Sequence, residues 1–159
     1  MPPLDVTTVN PFVESLSTVF TTMLSLKPTR LRARAACATD RRALTSLIGI
    51  SGRFSGVVAL RFPPETAKNL AERLLSTEVP DDSEEIADAI AELANMVAGA
   101  AKAKFNSDPP LALGLPTVVD GAGYRMHMTQ QTHWLEVPYE SEAGSFSLEL
   151  AFGVNEEQP

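Results

Sequence analysis

Asp88, Glu92 and Asn95 stand four and three residues apart in the stretch Asp88-Ala89-Ile90-Ala91-Glu92-Leu93-Ala94-Asn95-Met96-Val97-Ala98-Gly99-Ala100-Ala101-Lys102. A helix advances about 100° per residue, which gathers the three side chains within an arc of roughly 60°. Two carboxylates can only accept hydrogen bonds when ionised, whereas the amide both accepts and donates. Ile86, Ile90, Leu93, Val97 and Ala101 repeat at helical spacing on the opposite side and fill the core-facing stripe. The polar stripe therefore points away from the fold. Gly99, the next position along it, has no side chain and lets another surface come close. Groups placed this way suit chemistry on a partner protein rather than inside a pocket.

The helix carrying the stripe is expected to begin after Asp81-Asp82-Ser83. Asp82 caps it there while Glu85 reaches back, as in a capping box. Asp82, Glu84 and Glu85 also sit well at the positive end of the helix dipole. The helix is expected to end near Phe105, before Asn106-Ser107-Asp108-Pro109-Pro110. An earlier helix reads from Asn10-Pro11, with Val13, Leu16, Phe20, Met23 and Leu24 as its buried stripe and Pro28 just past its end. Strands are expected at 30–38, 44–51 and 54–62, the last two joined by the hairpin residues Gly52-Arg53. Pro63-Pro64 stops the third strand and opens a helix with Ala67, Leu70, Ala71, Leu74 and Leu75 turned inward.

The last third reads as strands: 115–119 turning at Asp120–Gly123 into 124–128, one near 133–139, and 145–153. In the final one Phe146, Leu148, Leu150 and Phe152 alternate with Ser145, Ser147, Glu149 and Ala151, the period of a sheet with one wet face. Residues 1–8 and 154–159 are expected to fray. With no linker or low-complexity segment, residues 1–159 read as a single α+β domain, a largely antiparallel β-sheet packed against three main helices.

Composition narrows the function. The 159 residues, 44% of them hydrophobic, suffice for one substantial core. No apolar run approaches the ~18 residues of a membrane span. The start Met1-Pro2-Pro3-Leu4-Asp5 lacks a secretory pattern, and the single cysteine, Cys37, cannot form an internal disulfide; both point to the cytoplasm. The net charge is −7, with 10 Lys/Arg against 6 Asp/Glu in residues 1–80 and 3 against 14 in residues 81–159. Neither nucleic acid nor membrane is an expected partner of so acidic a chain. Lys27, Arg30, Arg32, Arg34, Arg41, Arg42 and Arg53 form a local basic concentration. Within it Arg30, Arg32 and Arg34 alternate with Leu31, Ala33 and Ala35, as on a solvated strand face. Cys37, His127 and His133 lack the close spacing of a zinc site, so no metal is expected on this chain. Gly49, Gly52 and Gly56 are followed by no Gly-Lys-Ser/Thr, so they read as a hairpin rather than a phosphate loop.

At this point the chain resembles the CheC/CheX/FliY chemotaxis phosphatases, specifically the CheX type. Their helical motif Asp/Ser-x3-Glu-x2-Asn is met by Asp88, Glu92 and Asn95 and continued by Met96, Gly99 and Lys102. Similar stretches are Asn10-Pro11-Phe12, Gly49 through Gly56 with Val57 through Pro63 after it, the helix from Pro64, and Pro116 through Gly121 leading to Tyr124. CheC-type proteins carry the motif on two helices. Asn10, Glu14 and Ser17 repeat the spacing here without the amide, which resembles a lapsed first copy, and no site is assigned to them.

The resemblance implies hydrolysis of the aspartyl phosphate of a phosphorylated CheY-like response regulator, which brings its own Mg, Lys and Thr/Ser; this chain is expected to bind no cofactor. An acyl phosphate is already reactive and its transfer passes through a loose transition state, so placing an in-line water is most of what a helper can add. Asn95 suits that task, because its amide orients water and stays neutral beside a dianion. Glu92, by the resemblance, pairs with the regulator's active-site Lys. Asp88 either contacts the partner or simply complements the N-terminal half of the helix, and Gly99 and Lys102 belong to the interface. A homodimer through sheet edges is also implied. The rival is a module that binds response regulators, or sits in a flagellar-switch assembly, without catalysis.

Overall fold

The computed structural model describes residues 6–36, 40–105, 108–124, 126 and 134–154. Its three helices are α1 (Val6–Leu24), α2 (Pro64–Leu75) and α3 (Glu84–Lys104). The strands are β1 (Thr29–Arg30), β2 (Arg34–Ala35), β3 (Arg42–Ser51), β4 (Phe54–Phe62), β5 (Ala112–Leu113), β6 (Thr117–Ala122), β7 (Leu135–Glu140) and β8 (Phe146–Val154). All pair antiparallel in one sheet ordered β1-β7-β8-β4-β3-β5, with β2 also on β7 and β6 also on β3. This is the expected α+β architecture.

Gly52 joins β3 to β4 at φ +133°, a conformation that needs glycine, as the hairpin reading requires. Across β3, β4 and β8, Ile48, Val58 and Leu150 lie side by side, with Ser46, Leu60 and Leu148 in the next row. These residues form the helix-facing side of the sheet, and all but the buried Ser46 meet Leu16, Phe20, Leu70, Ile90, Leu93 and Val97 in one core. Gly56 must be glycine: a Cβ there would stand 1.9 Å from the Phe152 ring.

Several local expectations shift. Helix α1 begins at Val6, so residues 6–8 are helical and Pro11 lies inside. Val9 packs against the core and holds the extra turn, which offsets the backbone bond Pro11 cannot donate. Met23 is 48% exposed rather than buried, and Leu26 takes its place by folding back after Ser25 (φ 53°), its N–H donating to the Phe20 carbonyl at 3.0 Å. Leu75 is likewise exposed, at the end of α2. The strand expected at 30–38 is two short pairs on β7, and Leu31 is exposed together with the arginines beside it. Strand β6 runs through Asp120-Gly121-Ala122 to turn at Gly123 (φ +70°), because β3 extends its partner edge back to Arg42. The expected strand 124–128 lies mostly outside the described residues, as do Cys37, His127 and His133.

The wet face expected along β8 is not wet. Ser147 and Glu149 are buried along with their apolar neighbours. On this side, which no described helix covers, Thr45, Arg61, Ser147 and Pro138 form one row, and Leu47, Ala59, Glu149, Glu136 and Arg34 the next. Arg61 lies over the Tyr124 ring at 5.1 Å, and the Tyr124 hydroxyl is hydrogen-bonded to Thr45. Arg61 Nε stands 3.2 Å from Glu149 Oε1 as an ion contact whose angle falls short of a hydrogen bond. Burial pushes the Glu149 carboxyl above its ordinary value, with Arg61 opposing and Glu136 adding to the shift.

Candidate functional site on the outer face of the third helix

The hydrophobic period of α3 decides which way its polar residues point. Ile86, Ala89, Ile90, Leu93, Ala94, Val97, Ala98 and Ala101 are buried. Asp88, Glu92 and Asn95 are exposed, while Gly99 and Lys102 are half-buried further along the same ridge. Among the described residues, none forms an ion pair or side-chain hydrogen bond with Asp88, Glu92 or Asn95. Their hydrogen-bonding capacity is turned outward. The structure thus brings the expected site residues together on one surface strip.

Gly99 sharpens the point. Glycine in a helix interior costs about 1 kcal/mol relative to alanine. A Cβ built at Gly99 meets nothing within 4 Å, so no neighbour among the described residues accounts for the missing side chain.

Both ends of the ridge are pinned. The chain before α3 bends through Asp82 (φ 57°), and Ser83 rather than Asp82 occupies the N-cap, with no side-chain cap bond. The expected capping box is therefore absent, because Asp82 is drawn 2.8 Å from Arg42 Nη2. Arg42 also donates through Nε and Nη2 to both oxygens of Asp120, at 2.9 Å each. Lys68 of α2 bonds Asp81 at 2.5 Å. At the other end Phe105 lies 5.7 Å from the Phe12 ring and 5.3 Å from the Phe54 ring, and Lys104 pairs with Glu14 of α1 at 3.2 Å. The anchors Arg42 and Asp120 escaped the sequence reading because 78 residues separate them and no local spacing reveals the pair. Asn10, Glu14 and Ser17 are exposed on α1, where Glu14 is engaged by Lys104.

The Arg42 guanidinium holds the Asp120 carboxyl below its ordinary value of 3.8, chiefly through their hydrogen bonds. A carboxylate lowered on folding adds stability above its unfolded value and loses it as pH falls through the folded one. Arg42→Gln is therefore expected to lower the unfolding temperature near neutral pH, and the gap to wild type is expected to close in acid. Thermal unfolding followed across that range checks it. A gap independent of pH would remove Asp120 from the anchor.

Among the described residues no three His, Cys, Asp or Glu side chains converge as a metal site. No helix among the described residues is long and apolar enough to cross a membrane.

Comparison with known proteins bears on the same ridge. The family described as chemotaxis phosphatase CheX matches residues 44–140, a span that contains Asp88 through Lys102. No curated protein sequence matches the chain significantly. The chemotaxis protein CheX from Vibrio vulnificus superposes with a TM-score of 0.82 at 27% identity, over 93% of this chain and 100% of its own. A CheC-like superfamily protein from Shewanella sp. PV-4 gives 0.83 at 24% identity, over 94% and 99%. The CheX–CheY–BeF3–Mg2+ complex from Borrelia burgdorferi gives 0.73 at 20% identity, over 91% and 96%.

Proposed function

The chain belongs to the CheX family of chemotaxis phosphatases, and from that membership we propose that it hydrolyses the aspartyl phosphate of a phosphorylated CheY-like response regulator. The observation that carries this reading is the α3 ridge, an acid, an acid and an amide exposed in line and committed to no partner among the described residues. A neighbour of the same fold is known in complex with CheY.

In this mechanism Asn95 enters the regulator's phosphorylation site and its amide orients a water in line with the phosphorus–oxygen bond of the acyl phosphate. Water attacks phosphorus, that bond breaks, and the aspartate leaves as a carboxylate together with inorganic phosphate. A neutral amide does this without repelling the phosphoryl oxygens, which a carboxylate would do. Glu92 reaches the regulator's active-site Lys and fixes the approach of the helix. Asp88 contacts the partner near the start of the ridge, and Gly99 and Lys102 complete the interface. The Mg2+ beside the phosphoryl group is the regulator's own.

Mixing the protein with its phosphorylated response regulator tests this reading. Phosphate release is expected to accelerate, whereas a pure binding module would leave the phosphoryl half-life unchanged or lengthen it. Gly99→Ala adds a signature of opposite signs. The helix is expected to gain up to about 1 kcal/mol of stability while phosphatase activity falls several-fold, because the added methyl holds the partner off. Unfolding temperature and phosphate release, measured side by side, check it; a gain in both would place Gly99 outside the interface.

Self-association is part of the proposal. Strand β6 pairs only with β3, and β1 and β2 only with β7, so both ends of the sheet present strand edges among the described residues. Light scattering at micromolar concentration is expected to give a dimer mass in a cytoplasm-like buffer, and a monomer mass would remove the expectation.

A further inference from the structure

We infer that the arginine-lined hollow on the face of the sheet that no described helix covers is a binding site for a small phosphate-bearing anion. The hollow has a volume of about 530 Å3, within the range of small-molecule sites. Four guanidiniums line it, from Arg32, Arg34, Arg41 and Arg61, against the carboxylates of Glu136 and Glu140. Arg42 also borders it but turns its charge to Asp82 and Asp120. In a chain whose net charge is −7, this is a local concentration of the opposite sign in a concave setting, which focuses its field.

The layering matters more than the count. Glu136 retains only 11% side-chain exposure and forms the floor, with its cross-strand neighbour Glu149, 2% exposed, buried beside it. Arg34, 62% exposed, stands above Glu136 with Nη2 2.8 Å from Oε1, and Arg61 stands beside Glu149. A solute arriving from water therefore meets Arg34 before it meets Glu136, while Glu140 is the exposed carboxylate of the lining. The buried acids also hold Arg34 and Arg61 in fixed poses, so less rotamer freedom is lost when an anion joins them. A guanidinium fork matches two oxygens of a phosphate, and the Ser147 and Ser145 edge of the hollow supplies neutral hydroxyls. Leu31 and Pro138 give an apolar wall against which the organic part of such a ligand can lie. The dimensions suit a free phosphate, a pyrophosphate or a mononucleotide.

The sheet separates this hollow from the α3 ridge, so the inference stands independently of the phosphatase reading. Calorimetric titration of the full chain at low ionic strength with inorganic phosphate, with pyrophosphate and with adenosine monophosphate tests it and distinguishes a free anion from a nucleotide. Saturable binding is expected for at least one of the three, weakened about tenfold or more by Arg32→Gln and by Arg34→Gln. Both side chains are exposed, so both variants are expected to fold, and circular dichroism confirms it. Asn95→Ala is expected to bind the anion as wild type does. Absence of saturable binding for all three probes overturns the inference, as does binding that both arginine variants retain in full. Retention of the protein by heparin with no binding of the small probes overturns it too, since that is the behaviour of a smooth basic patch.

Discussion

Asn95→Ala is expected to reduce the acceleration of phosphate release from a phosphorylated response regulator by on the order of 10²-fold, with no change in unfolding temperature. The magnitude is that of removing one positioned hydrogen-bonding group from a transition state. The unchanged stability follows from location. Asn95 is exposed on α3 and engages no described residue, so its truncation exposes no cavity and orphans no partner. Glu92→Ala is expected to act differently, weakening association with the regulator more than the rate within the complex, because its carboxylate docks rather than reacts. Titrating the regulator against each variant separates the two effects.

Leu93→Ala, only two positions away, should give the opposite result. Leu93 is fully buried where α3 meets the core. Removing its branched side chain costs about 2–5 kcal/mol, a large share of the stability of a domain this size. Activity per folded molecule is expected to survive, since Leu93 faces away from the partner. Urea unfolding together with a phosphate-release assay on the folded fraction would show it. Loss of activity without loss of stability would mean that the two faces of α3 have been assigned the wrong way round.

This contrast also marks what was legible beforehand. A 3.6-residue period separates Leu93 from Asn95 by arithmetic alone, and α3 is long enough for that signal to dominate. The same rule located α2 and turned Ala67, Leu70 and Ala71 inward, where neighbouring elements agree with the local pattern. It failed where distant residues intervene. Glu149 reads as a solvent-facing acid on an alternating strand, yet Arg61 and Glu136 crowd it from β4 and β7. Asp82 reads as a helix cap, yet Arg42, 40 residues earlier, takes its carboxylate. Met23 reads as core because it keeps the helical period, but α1 ends one residue later and Leu26 fills the space. For Glu149 and Asp82 the deciding contact is long-range and for Met23 it is the local fold-back of Leu26 onto Phe20; periodicity carries no information about either. The basic segment 30–34 reads as a wet face and its arginines are exposed, but the anchoring of Arg34 on Glu136 beside a hollow is again a long-range contact.

The interface itself can be mapped directly. Beryllofluoride-activated response regulator, titrated into the isotopically labelled protein, reports contact through the amide signals that move. Shifts are expected to concentrate at Asp88, Glu92, Asn95, Gly99 and Lys102, with the sheet face around Arg34 and Arg61 unmoved. Shifts confined to that sheet face, or no shifts at saturating regulator, would contradict a docking role for the α3 ridge.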